Sequence, residues 1–385
     1  MPWKETCFVD QRLHFIALVN ESDDSFAALC EQFGISRKTG YKWVERYETL
    51  GPGGLEERRP VAHTFPHATP AKVLDALLTL RKERPTWGPK KLRARLESLG
   101  LEGLPAVSTI GELLKKHGLV RPRRRRVHTP RLPSVLAPAE QPNDTWCVDF
   151  KGHFGLGDKS RCYPLTLTDQ ASRYLLKCEG VGKPDEAAVQ PHFERAFREF
   201  GLPERIRSDN GPPFATQGVG GLSALAVSWI KLGIHPERIA PGHPEQNGRH
   251  ERMHKTLKAE ATTPPGGTLA DQQRVFDRFR HTYNDERPHE ALGQRTPASR
   301  YSPSRRAMPS QPASPEYADG MTVRRITAKG GLRFGGADVF VSTLIANEPV
   351  GLLPLGEVLW ELYYGPVILA HITIEDKVLK LAKRW

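Results

Sequence analysis

The sequence lacks long apolar runs and a paired set of cysteines. No stretch of about 18 apolar residues occurs, and the first residues show no apolar core of a signal peptide. We therefore expect no membrane partner and a cytoplasmic location. The five cysteines are odd in number and scattered. This pattern favours buried free thiols in a reducing compartment over a disulfide framework.

Positive charge is what the chain has in excess. The formal net charge is +12 and the pI is about 9.5, so a polyanionic partner is expected, because basic surface displaces counterions from nucleic acid. Charge alone does not separate nucleic acid from a membrane surface. The length of 385 residues predicts more than one domain.

Residues 1–56 are predicted to form a helix-turn-helix domain. Apolar residues at helical spacing between Ser25 and Phe33 precede the turn Gly34–Ser36, and Ser36 is a candidate N-cap for the next helix. That second helix opens with basic residues, as a DNA-reading helix does. A plain helical hairpin with a solvated basic face is the alternative. The candidate DNA-binding residues are Arg37, Lys38, Tyr41 and Lys42.

Residues 68–120 are predicted to form a second helical domain, with helices over 71–84, 88–99 and 108–117 and an apolar stripe of leucines. Its middle helix carries the basic residues Lys90, Lys91, Arg93 and Arg95. The layout is similar to a second, weaker helix-turn-helix, and two adjacent units suggest a long DNA site.

Residues 121–141 form a basic connector that is rich in proline and arginine. A block of this kind rarely folds alone, so it is either a solvated tether or an arm that follows DNA phosphates. Because it joins two parts that are expected to contact DNA, we favour the arm. Its candidate DNA-binding residues are Arg123, Arg124, Arg125 and Arg126.

Residues 142–305 show a change of pattern from helices to strands. Trp146, Val148 and Phe150 fall on one face of a strand, which leaves Cys147 and Asp149 on the other. Strands are expected over 145–150, 163–169, 173–181, 204–208 and 233–240, and helices over 184–200, 223–232, 245–261 and 269–283. The order β-β-β-α-β-α-β-α predicts an α/β core of ribonuclease-H-like fold, with a mixed five-stranded sheet.

The C-terminal part is predicted to be a linker followed by a small β-barrel. Residues 306–320 are rich in proline and serine, so we expect an extended or mobile segment. Residues 321–385 contain five short strand-like runs separated by turn residues. The basic side of this barrel would carry Arg324, Arg325, Lys329 and Arg333.

Two aspartates are candidates for catalysis. Asp149 lies in mid-strand, where an acid is disfavoured and costly to bury unless a positive partner such as a metal compensates. Asp209 ends a strand before Asn-Gly. Taken singly, Asp149 is equally well explained by solvent exposure or pairing with Lys151, and Asp209 by turn formation. Their joint placement favours a common site.

Glu251 is the third candidate acid. At 100° per residue, Glu251, His254, Lys255 and Lys258 fall within about a third of a turn of the helix. The residues predicted to pack this helix on the sheet are His250, Met253, Leu257 and Ala261. A Glu–Lys surface pair worth a few tenths of a kcal/mol is the alternative. Carboxylates without His or Cys ligands suit hard divalent metals.

The segments around these three acids resemble the catalytic core of the integrase-like DDE transposases, which include retroviral integrases and bacterial insertion-sequence transposases. The most specific match is PEQNGRHERMHKTLK, from Pro244 to Lys258, and the run from Tyr283 to Tyr301 is similar to the segment that follows the core in bacterial members. The resemblance covers roughly residues 10–305. It implies that Asp149, Asp209 and Glu251 are catalytic metal ligands for two Mg²⁺ ions, with Mn²⁺ as a substitute, and that Lys255 and Lys258 bind DNA.

The spacing of the third acid departs from the family. Members often have 35 residues between the second and third acids, whereas 41 residues separate Asp209 from Glu251. Glu245 would satisfy the count. We choose Glu251 because the local motif fixes it and because the Gly-rich stretch 216–222 can accommodate six extra residues.

The sequence therefore predicts a transposase that binds terminal inverted repeats and carries out metal-dependent DNA cleavage and strand transfer. Its partners would be double-stranded DNA, as transposon ends and as target, and at least one further copy of the chain in a homodimer or larger assembly. The protein would then be associated with the nucleoid. A retired transposase that acts as a DNA-binding regulator and a ribonuclease-H-like nuclease are the alternatives.

Overall fold

The computed structural model describes residues 8–56, 68–120, 136–375 and 378–383. The chain divides at Ala68 into two units, Met1–Ala68 and Thr69–Trp385, each with its own internal contacts. The basic arm predicted at Arg123–Arg126 lies outside the described residues. No helix in the described part of the chain is long and apolar enough to cross a membrane.

The first unit contains the predicted helix-turn-helix. Its helices are α1 (Phe8–Glu21), α2 (Phe26–Gln32) and α3 (Arg37–Leu50). Both α2 and α3 begin at a serine whose side chain accepts a backbone N–H, Ser25 from Ala28 and Ser36 from Thr39. Their core is made by Phe15, Ile16, Leu29, Cys30, Trp43 and Leu55.

Gly40 explains how closely α3 approaches α2. A Cβ atom at this position would lie 2.7 Å from Cys30 Sγ and 2.9 Å from Phe26 Cζ. Both distances are well below van der Waals contact, so only glycine allows this packing.

The second unit begins with the predicted three-helix domain. Its helices are α4 (Ala71–Glu83), α5 (Pro89–Ser98) and α6 (Val107–Lys116). They enclose a core of Leu77, Trp87, Leu92, Leu96, Ile110 and Leu114.

The central α/β part follows the predicted order. It consists of β1 (Thr145–Phe150), β2 (Phe154–Gly155), β3 (Arg161–Asp169), β4 (Leu175–Val181), α7 (Glu186–Phe200), β5 (Arg205–Ser208), α8 (Ala224–Lys231), β6 (His235–Arg238), α9 (Gly248–Ala261) and α10 (Leu269–His281). The main strands are arranged β4-β3-β1-β5-β6. The first three pair antiparallel, and β5 and β6 run parallel to β1. The mixed five-stranded sheet is confirmed, and the two-residue β2, which pairs with β3, was not predicted.

Each face of this sheet has a helical layer. On one face, Trp146 and Val148 of β1 pack with residues of α7 and α8. On the other face, β4 packs with α9 and α10 through residues such as Met253, Leu257 and Phe276. The predicted alternation in β1 is thus confirmed, and it directs Asp149 toward the α9 side.

The C-terminal part is a small β domain with seven strands, two more than predicted. These are β7 (Thr322–Arg325), β8 (Gly331–Phe334), β9 (Ala337–Phe340), β10 (Pro349–Pro354), β11 (Leu359–Tyr364), β12 (Val367–Glu375) and β13 (Val378–Lys383). Five form an antiparallel sheet in the order β13-β12-β11-β10-β7, and β8 pairs with β9 as a hairpin. The strands absent from the prediction are β8 and β13.

This β domain and α8 share one core. Leu222, Ala226, Val227 and Ile230 from α8 and its approach pack with the inward residues of the β domain, such as Ile326, Leu352 and Tyr364. The opposite side of α8 contributes Leu225 and Trp229 to the core of the central sheet. Helix α8 is therefore buried on two faces.

The linker predicted at 306–320 has neither helix nor strand, but it is held to the core. Arg306 Nη1 donates to Pro203 O (2.7 Å) and Nη2 to Gly233 O (2.7 Å). Farther along, Tyr317 Oη donates to Pro349 O (2.8 Å). These bonds hold the segment to the central part at Arg306 and to the β domain at Tyr317.

The predicted free thiols are confirmed for four of the five cysteines. Cys30, Cys147, Cys162 and Cys178 are free and buried, and Cys7 lies outside the described residues.

Candidate active site

Asp149 is an acid in a largely buried position of β1. Its side chain is 23% exposed. Burial is the main cause that raises the pKa of Asp149 to about 7, and repulsion from Asp209 and Glu251 raises it further. Asp209 and Glu251 therefore lie near enough to Asp149 to repel its charged form.

Asp209 directly follows β5, which lies next to β1 in the sheet. Its Oδ1 accepts the N–H of Gly211 (3.2 Å), so the turn-forming role that was an alternative for this residue is present. A Cβ atom on Gly211 would lie 3.2 Å from Asp209 Oδ2. Glycine at 211 keeps the space beside that oxygen open.

Glu251 lies in the first turn of α9 and is exposed, as are Lys255 and Lys258 one and two turns later. The helix packs on the sheet side through the four predicted residues, which are all buried: His250, Met253, Leu257 and Ala261. The side chain of Glu245 is outside the described residues, so the structure does not compare it with Glu251.

His254 was expected beside Glu251 on the exposed face, and this was wrong. The side chain is 5% exposed, and its Nε2 lies 2.7 Å from the hydroxyl of Thr166 on β3. Its Nδ1 is 3.7 Å from Asp149 Oδ2. The hydrogen bond to Thr166 on the sheet holds this histidine on the packing face. A helical wheel considers the helix alone, so it does not include that partner.

The hydrogen bonds of Thr166 indicate the tautomer of both histidines. Its hydroxyl donates to the carbonyl of Asp149 (3.0 Å) and lies 2.7 Å from Nε2 of each of His250 and His254. A hydroxyl has one hydrogen, so both Nε2 atoms are the donors. Nδ1 of His250 then accepts from Thr168 Oγ1 (2.8 Å). The free lone pair of His254 Nδ1 faces Asp149.

Both histidines are neutral at pH 7. Burial, first, and the neighbouring ring lower the pKa of His250 well below its usual value. Burial, and then Lys151, lower the pKa of His254 to about 3. Neutral rings add no positive charge beside Asp149, where Lys151 is the cation that lowers its pKa.

The donor set fits a divalent cation. A hard cation, which prefers oxygen ligands, would relieve the repulsion that Asp209 and Glu251 exert on Asp149. Ligand atoms of Asp149, His250 and His254 also lie within 4.8 Å of one another. Both nitrogens of His250 are occupied by hydroxyls, so His254 Nδ1 is the nitrogen ligand that this group offers.

Comparisons with protein families match several parts of the chain. Two integrase core domain models match residues 139–244 and 232–297. A helix-turn-helix domain model matches residues 11–60, and a homeodomain-like domain model matches residues 39–114. The core models together cover all of the elements from β1 to α10.

Relatives come from bacterial insertion elements. The uncharacterized 31.7 kDa protein of insertion element IS407 from Burkholderia multivorans is 29% identical over 62% of this chain and 83% of its own length. Transposase InsD of IS2 from Escherichia coli is 25% identical over 60% of this chain and 78% of its own. The 39.2 kDa protein of IS476 from Xanthomonas euvesicatoria is 30% identical, and 45% of its length is matched.

The chain is similar to the integrase-like transposases of insertion elements, and the two integrase core domain models together match its residues 139–297. Members of this family are polynucleotidyl transferases. Among solved structures, the catalytic core domain of HTLV-2 integrase in complex with magnesium is 19% identical, with a TM-score of 0.33, over 42% of this chain and 97% of its own.

The chain holds its second helical domain against the core by charged contacts. Arg84 pairs with Glu286 (2.6 Å) and Lys90 with Glu290 (2.6 Å), while Lys91 donates to the carbonyl of Pro288. The guanidinium groups of Arg84 and Arg287 both lie over the ring of Trp87. The two lysines predicted on the middle helix thus bind the segment after α10.

The predicted DNA-reading residues of α3 form an exposed surface. Arg37, Lys38, Tyr41 and Lys42 are exposed and line one shallow depression with Glu45. Lys42 also lies over the ring of Trp43, 4.5 Å from its centroid. This surface has the charge and accessibility that a DNA backbone needs.

Metal binding by the chain is expected to weaken as the pH falls through about 7. The pKa of Asp149, raised to about 7, means that a proton competes with the cation for this carboxylate at lower pH. We expect the affinity for Mn²⁺, measured by calorimetric titration, to be about tenfold lower at pH 6 than at pH 8. Asp149→Asn should remove this difference. Equal affinity of the wild type at both pH values would contradict the assignment.

Metal-free protein should show the matching trend in stability. The folded state keeps the proton on Asp149 between its ordinary pKa of 3.8 and about 7, whereas the unfolded chain releases it. The free energy of unfolding should therefore fall as the pH rises through this window, and urea titrations of the wild type and of Asp149→Asn would measure the difference.

Proposed function

We propose that the chain cuts DNA at the ends of an insertion element and joins those ends to target DNA. Asp149, Asp209 and Glu251 act as the ligands of two divalent metal ions, Mg²⁺ with Mn²⁺ as a substitute. The observation that carries the proposal is the burial of Asp149 beside two further acids, which repel it while both neighbouring histidines are neutral. Such a cluster is costly unless a cation compensates it.

The elements of the core hold each acid in a defined way. Asp149 is fixed in mid-strand, where its carbonyl accepts from Thr166, and Asp209 is fixed by the turn to Gly211. Glu251 lies on α9, which the His254–Thr166 hydrogen bond joins to β3. When bound, the metals would activate the attacking oxygen and stabilise the leaving oxygen of an in-line displacement.

The exposed basic residues would place the DNA. Lys255 and Lys258 follow Glu251 along the same side of α9, so they can bind phosphates next to the reacting bond. The α3 surface, Arg37, Lys38, Tyr41 and Lys42, would read the terminal inverted repeat. The arm Arg123–Arg126 would follow the backbone between the two. Two ends must be held together for joining, so a homodimer or a larger assembly is proposed on DNA.

A DNA-binding regulator is a weaker candidate. Such a protein would need the α3 surface but would gain nothing from a repulsive acid cluster, which lowers stability. A ribonuclease-H-like nuclease would share the acids, but it has no need of two helical DNA-binding domains. Of the three candidates, only a transposase uses both the acid cluster and the helical DNA-binding domains.

A strand-transfer assay with the repeat DNA that flanks the gene and Mg²⁺ distinguishes the three functions. A transposase gives both nicked ends and joined products, a nuclease gives nicks alone, and a regulator binds the DNA without cutting it. Joined products that form with wild type in Mg²⁺ support the proposal. Absence of cleavage with intact binding overturns it.

The third acid is tested by a matched pair of variants. Glu251→Gln is expected to lower strand cleavage roughly a hundredfold or more, because the loss of a metal ligand costs more than the loss of an outer partner. Glu245→Gln should cut nearly as well as wild type. Rates come from single-turnover cleavage of labelled end DNA. The reverse pattern would identify Glu245 as the third acid.

A further inference from the structure

A small cleft lies on the α9 side of the sheet, next to the acids. It is formed by the turn between β3 and β4, by the start of α9, and by Tyr283, with Gln170, Arg173, Arg249 and His250 among its lining residues. Arg173 comes from the turn and Arg249 from α9, and neither belongs to the acid site. The cleft thus brings together two arginines from distant parts of the sequence.

The turn fixes Arg173 in an unusual backbone conformation. Its φ is +68°, a left-handed value that non-glycine residues rarely adopt. Asp169, which is 1% exposed, builds this turn by accepting N–H groups from Asn143 and Ser172 and the hydroxyl of Ser172, at 2.6–2.7 Å. The carboxylate of Asp169 is therefore already used by the turn itself.

Arg173 carries a buried donor without a partner. Its Nη1 is inaccessible to solvent and has no hydrogen-bond partner among the described residues. An unpaired donor of a charged group is expensive to bury. Such a donor is expected where a ligand completes the hydrogen bonding.

The charge around this guanidinium is also positive. Burial lowers the pKa of Arg173 to about 10, and Arg249 and Arg252 on α9 lower it further by repulsion. Arg249 donates to the carbonyl of Gln170 (3.2 Å), which holds it over the cleft. The N-terminus of the 14-residue helix α9 adds its own positive end. An anion would relieve all of these contributions.

The register of the sheet gives the position of the cleft. Thr166 lies opposite Asp149, and Thr168, which lines the cleft, lies two residues farther along β3. Two residues of a strand span about 7 Å. His250 joins the two places, because it bonds to both threonines. A group in the cleft is therefore close to the bond that the acids would cut.

We propose that this cleft, whose volume of about 10 Å³ admits a single oxygen atom, receives one non-bridging oxygen of a DNA backbone phosphate, with Arg173 and Arg249 as its ligands, close to the phosphate that reacts at Asp149. The inference rests on the proposed function only in one respect, namely that the neighbouring phosphate is the one that reacts at Asp149. The chemistry that the cleft recognises is a phosphate anion, which a DNA backbone or free inorganic phosphate can supply.

The test compares the salt dependence of duplex DNA binding by the full chain without divalent metal. Losing one phosphate contact reduces the slope of log affinity against log salt by about 0.9. We expect this reduction in Arg173→Asn, in which asparagine tolerates the left-handed backbone, and in Arg249→Gln. Arg173→Lys keeps the charge and should keep the slope. Arg198→Gln, at an exposed arginine of α7, is the matched control and should not change it.

Calorimetric titration with inorganic phosphate separates the two sources of anion. If wild type binds inorganic phosphate, Arg173→Asn does not, and the DNA slopes stay equal, the site takes free phosphate and the DNA assignment is overturned. If neither measurement changes in Arg173→Asn and Arg249→Gln, the cleft binds no anion and the whole inference is overturned. Because no metal is present, these results do not depend on cleavage, so failure here is distinct from failure of the proposed reaction.

Discussion

Asp149→Asn is expected to lower the rate of DNA strand cleavage roughly a thousandfold and to leave DNA affinity close to that of wild type. A metal contributes several kcal/mol of charge stabilisation in the transition state, and each 1.4 kcal/mol is about a factor of ten in rate. Asparagine keeps the shape of the side chain but removes the charge that holds the cation. Single-turnover cleavage of end DNA in Mg²⁺, beside a binding titration, measures both quantities.

The same variant should be more stable than wild type when no metal is present. The burial and repulsion that raise the pKa of Asp149 to about 7 disappear with its charge, so the free energy of unfolding at pH 8 should increase. Asp158→Asn is the matched control, since Asp158 is an exposed turn acid that bonds to Ser160. It should cut DNA at the wild-type rate. An Asp149→Asn protein that cuts normally would remove this acid from the reaction.

Arg207→Ala is expected to cost about 3–5 kcal/mol of unfolding free energy, because it leaves a carboxylate buried without its partner. Arg207 Nε donates to Glu237 Oε2 at 2.6 Å, and the two side chains are only 4% and 12% exposed. They face each other across β5 and β6. Both also bond to the backbone of Ala137. A fall of about 10 °C in melting temperature is the corresponding result for a unit of this size.

Replacing both Arg207 and Glu237 by apolar residues tests whether the unpaired buried charge causes the loss of stability. The double variant Arg207→Met with Glu237→Leu should recover most of the lost stability, since no charge then remains unpaired. Arg198→Ala removes an arginine from an exposed pair with Glu194, and such pairs contribute little. Its melting temperature should match that of wild type. If Arg207→Ala, the double variant and Arg198→Ala all had the same melting temperature, the Arg207–Glu237 pair would not stabilise the pairing of β5 with β6.

The main elements of the central fold were predictable because their patterns are local. The alternation in β1 and, in the first unit, the capping serine Ser36 before α3 act over a few residues, and each is confirmed. Strand β2 has two residues, too few for any period to show. Strand β8 lies in a Gly-rich stretch, where the turn residues hide the pattern of a strand. Strand β13 follows β12 after a connection too short to show in the sequence as a separate turn.

The parts that sequence reasoning missed depend on partners far along the chain. His254 turns away from Glu251 because Thr166, 88 residues earlier, offers it a hydroxyl. Lys90 binds Glu290 from 200 residues away. Arg173 was predicted to begin a strand, whereas it lies in the turn before β4, and its burial and its arginine neighbours arise only when α9 packs on the sheet. The roles of Asp149, Asp209 and Glu251 remain predictions from their motifs.

Helix α8 has a consequence for how the chain is made. One of its sides completes the central core, and the other is covered by the β domain, through the core that Ile230 shares with the strands after residue 321. During synthesis the central part leaves the ribosome before the β domain. Until the last strands emerge, it carries an uncovered apolar helix face, which is the kind of surface that drives aggregation of partly folded chains. The β domain therefore covers an apolar surface of a core that is translated before it.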